Sequence, residues 1–139
     1  MPRNMSFFYT QQQVRDRTKD VTRRDGWADL KPGQLFWAVE KSQGLGKGGK
    51  IKRITLCRCV TNHAEPLRDL ITDPEYGQRE ARREGFPHLT GEQFAEMFIG
   101  HMGGDLDKRR NRIAFSYVTD PVTIREARGA KRRKAVAHA

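Results

Sequence analysis

The fold is decided by two strand-like stretches and the glycine-rich turn between them: Gln34-Leu35-Phe36-Trp37-Ala38-Val39-Glu40-Lys41, Gly44-Leu45-Gly46-Lys47-Gly48-Gly49 and Lys50-Ile51-Lys52-Arg53-Ile54-Thr55-Leu56. The first stretch is mostly apolar, whereas the third alternates basic and apolar residues, as a half-exposed strand does. The glycines predict a hairpin loop. Because no helix separates these strands, they do not fit the regular alternation of a parallel doubly wound sheet.

Segments on either side of this hairpin complete the predicted fold. Further strands are predicted over residues 5–9 and 112–118. Short helices are predicted over residues 10–17, with Thr10 as a capping residue, over 66–71, and over 91–102, which Thr90 would cap. The segments together predict an α+β fold, a small mixed β-barrel with two to three short helices.

Length and charge predict one domain with a basic tail. The 139 residues carry a net charge of +10, with 27 Lys and Arg against 17 Asp and Glu. We expect the domain to span residues 1–120 and a basic, disordered tail to span 121–139. Four basic residues of the tail, Lys131, Arg132, Arg133 and Lys134, are predicted to bind nucleic acid, with a merely solubilising role as the alternative.

The same composition bounds the partners and the cellular setting. An excess of positive charge favours nucleic acid over an anionic membrane surface as the partner. The sequence has neither a run of ~18 apolar residues nor a secretory signal, so we expect no membrane partner and a cytoplasmic location. Cys57 and Cys59 lack the spacing of a zinc site and are expected to be buried and reduced. No metal or other cofactor is predicted, and the oligomeric state is left open.

The candidate site starts in a cation-rich segment, Thr18-Lys19-Asp20-Val21-Thr22-Arg23-Arg24-Asp25-Gly26-Trp27, which is predicted to be a bent loop. Arg23 and Arg24 suit a phosphate, and Trp27 suits a stacked base. The alternative has the arginines paired with Asp25 or Asp29 and Trp27 in the core. Three further cations are expected to extend the basic surface: Lys50, Lys52 and Arg53.

Several segments, taken in order, resemble the ASCH family of small PUA-like barrels. They are Lys19-Asp20-Val21-Thr22-Arg23-Arg24, Gly26-Trp27-Ala28-Asp29-Leu30-Lys31-Pro32-Gly33, Glu84-Gly85-Phe86-Pro87, Phe94 and Arg112-Ile113-Ala114-Phe115. The resemblance covers about residues 5–119 and leaves out the tail. It implies a PUA-like barrel that binds RNA or a modified nucleoside in a cleft beside the sheet.

One branch of that family removes the acetyl group from acetylated cytidine. The resemblance implies a catalytic set of Lys19, Thr22 and Glu84 for such an amidohydrolase. Thr22 would attack the amide carbonyl, Lys19 would act as base or stabilise the oxyanion, and Glu84 would protonate the leaving amine. The alternative for Glu84 is an ion pair with the neighbouring arginines. The sequence thus favours a binding module first and a hydrolase second, with a nuclease as a third possibility.

Overall fold

A computed structural model describes residues 2–137 of the chain, and the side chains of residues 2–129. Its strands are β1 (Arg3–Ser6), β2 (Val21–Arg24), β3 (Leu35–Val39), β4 (Arg53–Pro66) and β5 (Arg109–Tyr117). Its helices are α1 (Gln11–Arg15), which follows a 3-10 turn (Phe8–Thr10), α2 (Asp69–Thr72), α3 (Pro74–Arg83), α4 (Gly91–Met102) and α5 (Pro121–Ala137).

The five strands form one curled sheet in the order β1-β3-β4-β5-β2. β1 runs parallel to β3, and the other neighbours are antiparallel. β1 and β2 are the two edges, so the open seam of this half-barrel lies between them. The predicted α+β small mixed barrel is confirmed, although the described residues contain five α-helices instead of two to three.

The two faces of the sheet have separate cores, because side chains alternate along each strand. Phe36 and Ala38 of β3 pack inside the curl with Cys57 and Cys59 of β4. Both cysteines are buried as predicted, and burial raises the pKa of the Cys57 thiol to about 12. Trp37 lies on the opposite face of β3, under α5.

The segment predicted to be a cationic loop contains an edge strand instead. β2 pairs with β5, with Val21 opposite Ala114 and Arg24 opposite Asn111. Thr22 and Arg24 therefore share one face, while Val21 and Arg23 share the other. The loop prediction is wrong because pairing with β5 satisfies the backbone and both faces of the short strand are covered.

The two predicted helix caps differ in outcome. Thr90 accepts a hydrogen bond from the Gln93 amide, and Gln93 Oε1 accepts one from the Thr90 amide, so the predicted capping box of α4 is confirmed. Thr10 makes no side-chain capping bond to α1. Thr10 ends the 3-10 turn, and its φ of −133° and ψ of 31° lie outside the extended region that is typical of a capping residue.

The C-terminal segment begins as a docked helix. The Asp120 carboxylate accepts hydrogen bonds from the amide and hydroxyl of Thr123 at the start of α5. Ile124 and Ala127 pack against the sheet around Trp37. The prediction of disorder from residue 121 is wrong here, because these apolar residues bury against the outer face. The side chains of Lys131, Arg132, Arg133 and Lys134 lie outside the described residues, and their role stays a prediction.

Helices α3 and α4 cross at two glycines. A Cβ built on Gly77 would lie 2.9 Å from the Gly91 Cα and 2.1 Å from the Leu70 carbonyl oxygen. A Cβ on Gly91 would lie 2.5 Å from the Gly77 Cα. Since backbone atoms cannot rotate aside, only glycine permits this close approach. The crossing fixes where α4 stands relative to α3.

Over the residues that the structure describes, every helix is too short or too polar to cross a membrane.

Candidate functional site

A cleft of about 210 Å³ opens at the seam between the edge strands. The end of β1 and the following 3-10 turn form one side, and α4 forms another. The polar end of the cleft lies where β2 meets the C-terminus of α3. Five side chains line that end: Lys19, Thr22, Arg23, Arg24 and Glu84. The five residues were all predicted to belong to the site, and they meet at one place. Trp27, the other residue predicted from the cation-rich segment, does not line the cleft.

Lys19 and Glu84 form a buried ion pair although 65 positions separate them. The ammonium donates to Glu84 Oε1 at 2.7 Å and to the Glu84 carbonyl oxygen at 2.9 Å. The Tyr117 hydroxyl donates to the Lys19 carbonyl oxygen at 2.5 Å, which holds the lysine backbone. Gly85, with a φ of +101°, turns the chain directly after Glu84. The alternative expected from the sequence was an ion pair of Glu84 with the neighbouring arginines of α3. In the structure Glu84 pairs with the distant Lys19 instead.

Burial changes the acid–base properties of Lys19. The side chain is only 3% exposed, and this burial lowers its pKa, an effect that the Glu84 carboxylate opposes without cancelling it. Desolvation disfavours the ammonium, whereas the adjacent carboxylate favours it. Lys19 can therefore give up its proton more readily than a surface lysine can.

Thr22 lines the same cleft, but within the described residues its side chain makes no hydrogen bond to Lys19. Its Oγ1 accepts a hydrogen bond from Arg24 Nε at 3.0 Å. The hydroxyl proton has no acceptor within the described part of the protein, so it is available to a ligand. The structure thus places the three predicted catalytic residues around one space, with Thr22 held by a cation.

Arg23 is enclosed by carboxylates. Nη1 donates to Glu84 Oε2 at 2.8 Å, while Nη2 donates to Glu80 at 2.7 Å and Glu65 at 2.5 Å. The guanidinium, predicted to hold a phosphate, is already occupied by acidic side chains of the protein. The alternative partners, Asp25 and Asp29, pair with other cations: Lys108 and Arg110 with Asp25, and Arg3 with Asp29.

Behind Arg23 the network continues along α3 and β5. Arg112 lies opposite Arg23 in the sheet and donates to both Glu80 oxygens, at 2.5 and 3.0 Å. Burial alone would raise the pKa of Glu80, but hydrogen bonds from Arg112 and Arg23 bring it down to about 2. The Tyr76 hydroxyl donates to Glu65 at 2.7 Å.

Sequence reasoning missed this network, although one signal was present. Glu80 and Glu84 are four residues apart on one helix, a spacing that places both carboxylates on the same face. Two acids on a buried helix face require cations opposite them. Arg23 and Arg112 are those cations.

Arg24 differs from its neighbour because no carboxylate among the residues with described side chains accepts a hydrogen bond from it, although the charge of Glu84 acts to raise its pKa. Among the residues whose side chains are described, the only hydrogen bond from its side chain goes to Thr22, and its guanidinium lies 4.6 Å from the centre of the Phe7 ring. Burial lowers the pKa of Arg24 to about 10, which still leaves it charged at neutral pH. Its terminal nitrogens are therefore cationic donors at the polar end of the cleft that are without an acceptor among the described side chains.

The remaining walls are apolar and aromatic. Phe94 is buried in the helical core as expected, and Met97 and Phe98 are partly buried against it. The same side chains face the cleft, together with Phe86. At the mouth, the rings of Tyr9 and His101 stack in parallel with centres 4.2 Å apart. An aromatic slot with a polar end suits a flat heterocycle.

The other predicted binding residues lie away from the cleft lining. Trp27 is half-buried, packs edge-on to Phe36 and carries the Arg3 guanidinium 4.1 Å above its ring. Arg53 covers Trp37 on the outer face of the sheet, 4.3 Å from the ring centre. Lys50 and Lys52 are exposed beside the hairpin loop. None of these four predicted residues, Trp27, Lys50, Lys52 and Arg53, belongs to the cleft lining.

Comparison with known proteins supports the fold and goes no further. No family model matches the chain, and no curated protein matches it. The chain is similar to the crystal structure of protein EF3133 from Enterococcus faecalis, described as DUF984, with a TM-score of 0.56 and 16% identity. The match covers 85% of this chain and 80% of that one. The half-barrel with its flanking helices is therefore an architecture that already exists among solved structures.

Proposed function

We propose that the protein is a PUA-like module of the ASCH type that binds one nucleobase, from RNA or a modified nucleoside, in the seam cleft. One observation carries the proposal: an aromatic-walled cleft of about 210 Å³ ends in the Thr22 hydroxyl and the Arg24 guanidinium, and within residues 2–129 no carboxylate accepts a hydrogen bond from either group. Ligand sites typically measure about 300–1,000 Å³, so this one suits a single ring system.

The free groups of the cleft match the edge of a base. Arg24 offers terminal N–H donors, and Thr22 offers a hydroxyl proton. Carbonyl oxygens and ring nitrogens of a base accept such bonds, and the aromatic walls stack on its faces. The buried Lys19–Glu84 pair adds a carboxylate that can accept from an exocyclic amine.

Calorimetric titration with the four ribonucleosides and N4-acetylcytidine tests the binding proposal. We expect one of them to bind, and Arg24→Met to weaken that binding roughly ten-fold or more by removing a charged donor. Arg82→Met is the matched control, because Arg82 is exposed on α3 and lies outside the cleft lining. Equal affinity in both variants, or no binding to any nucleoside, would contradict the proposal.

A second candidate function is hydrolysis of an acylated cytidine. It is favoured by the ion pair of Lys19 with Glu84, 2.7 Å between Nζ and Oε1, and by Thr22 on the same cleft. Lys19 would first pass its ammonium proton to Glu84, and the neutral amine would then take the hydroxyl proton as Thr22 Oγ1 bonds to the acetyl carbon. Cleavage of the C–N bond would then require a proton on the departing amine, supplied through Glu84. Water would release acetate from the threonine ester.

An assay of acetate release from N4-acetylcytidine separates the hydrolase from the binder. If the hydrolase is correct, Thr22→Ala and Lys19→Ala abolish turnover while Arg82→Met retains it. Binding of N4-acetylcytidine without turnover in the wild type leaves the binding module as the function. Turnover that persists in both Thr22→Ala and Lys19→Ala would rule out this mechanism.

A further inference from the structure

Three exposed aromatic side chains surround the mouth of the cleft, and we call them the aromatic rim: Phe8, Tyr9 and His101. Phe8 is 49% exposed and Tyr9 is 56% exposed. The Tyr9 ring lies 5.1 Å from the Phe8 ring and stacks on His101 at an interplanar angle of 4°. Large exposed aromatic groups in a contiguous patch mark contact surfaces.

We propose that the aromatic rim stacks the bases next to the one held in the cleft, so that the ligand is a single-stranded oligonucleotide and not a free nucleoside. The inference rests on the proposed base binding and adds the class of partner. The rim residues line the same cleft and are exposed, so a strand whose central base enters the cleft can place its neighbouring bases on these rings.

Charge favours a nucleic acid over another aromatic-binding partner. Lys41 Nζ lies 5.2 Å from the centre of the Phe8 ring, so a cation stands directly beside the rim. Arg24, the cleft cation without a carboxylate partner among the described residues, lies at the inner end. Rings flanked by cations match a strand whose bases stack while its phosphates bind positive charge.

The Tyr9–His101 stack also explains how the rim can work without large movement. The two rings come from different elements, the 3-10 turn and α4, and they already lie parallel. Each covers one face of the other, and the exposure of Tyr9 leaves ring surface open to solvent. A flanking base can therefore add to a stack that is already formed, which limits the ordering cost of binding.

The experiment compares three probes that share the tightest-binding base of the nucleoside panel. They are the free nucleoside, an RNA trinucleotide with adenines on both sides, and the same trinucleotide with abasic flanking sugars. We expect the adenine-flanked probe to bind roughly ten-fold more tightly than the abasic one, because stacking distinguishes them and phosphate charge does not. Tyr9→Ala removes this ratio, whereas Tyr9→Phe keeps the ring and keeps the ratio.

The outcomes distinguish the inference from the proposed function. If the nucleoside binds and the two trinucleotides bind equally, the rim does not stack bases and the inference alone is overturned. If Tyr9→Ala keeps the wild-type ratio, it is overturned as well. If no probe binds, the proposed function fails and takes the inference with it.

Discussion

Two adjacent arginines on β2 occupy opposite environments. Arg23 is 2% exposed and donates to three glutamates between the sheet and α3. Arg24 points to the other face, where its contacts are a threonine hydroxyl and a phenylalanine ring. Neighbours in a strand alternate faces, so a single step along the chain separates a cation neutralised by the protein from one left for a ligand.

The difference shows how the protein keeps a charged cleft stable. The face of β2 toward α3 carries an ion-pair network in which Arg23 and Arg112 balance Glu80 and Glu84. That network fixes Glu84, which in turn holds Lys19 at the polar end of the cleft. Arg23 is therefore a positioning residue, whereas Arg24 is the group that can contact a ligand.

The largest effect is expected at Arg23. Replacing it with methionine leaves Glu80, Glu84 and Glu65 without a shared cation in a buried place, and breaking such a network costs about 3–5 kcal/mol of unfolding free energy. Urea denaturation followed by circular dichroism measures the loss. A variant as stable as the wild type would show that the network contributes no net stability.

A loss of similar size is expected in acid. Glu80 has a folded-state pKa of about 2 against an unfolded value of 4.5, so its contribution is complete above pH 4.5 and is lost as the pH falls towards 2. The shift corresponds to about 3 kcal/mol. Denaturation of the wild type and of Glu80→Gln across pH 2 to 7 checks this. The gap in stability between the two proteins is expected to narrow as the pH falls below 4.5, and a constant gap would contradict the assignment.

A smaller effect is expected at Thr22. Thr22→Val keeps the shape of the side chain but removes the oxygen that accepts from Arg24 Nε. We expect a loss of about 1 kcal/mol in unfolding free energy, the usual contribution of one such hydrogen bond. Thr22→Ser, which retains the acceptor, is the matched control. A Thr22→Val variant as stable as the wild type would show that this hydrogen bond contributes no net stability.

The smallest effect on stability is expected at Arg24. Arg24→Met removes one hydrogen bond and one cation–π contact, and it also removes a half-buried charge without a described carboxylate partner. These contributions oppose each other, so we expect a change below about 1 kcal/mol in unfolding free energy. The same variant is expected to lose nucleoside affinity. A destabilisation as large as that of Arg23→Met would end the distinction between the two arginines.

The sequence predicts the barrel well where hydrophobic alternation and capping residues are local signals. β3, β4 and α4 follow from such patterns, as does the burial of Cys57 and Cys59. β2 was missed because its four residues, Val21–Arg24, are too few and too polar for a periodic signal. Only pairing with β5, nearly ninety positions away, makes this segment a strand.

The candidate site was likewise predicted from the sequence only in part. The meeting of Lys19, Thr22 and Glu84 was anticipated through family resemblance, and the described structure places them on one cleft. The role of Arg23 was misread, because composition counts its positive charge but cannot show which carboxylates surround it. The helical spacing of Glu80 and Glu84 indicated that both carboxylates lie on one face. Only the packing of α3 against the sheet shows that Arg23 is their partner.

The crossing of α3 and α4 determines the width of the cleft. Two absent methyl groups, at Gly77 and Gly91, let the helices touch through their backbones. Since α4 carries the wall formed by Phe94, Met97 and Phe98, any side chain at either glycine would act as a spacer that displaces this wall. A substitution at Gly77 or Gly91 would therefore change the size of ligand that fits the cleft without replacing any residue that lines it.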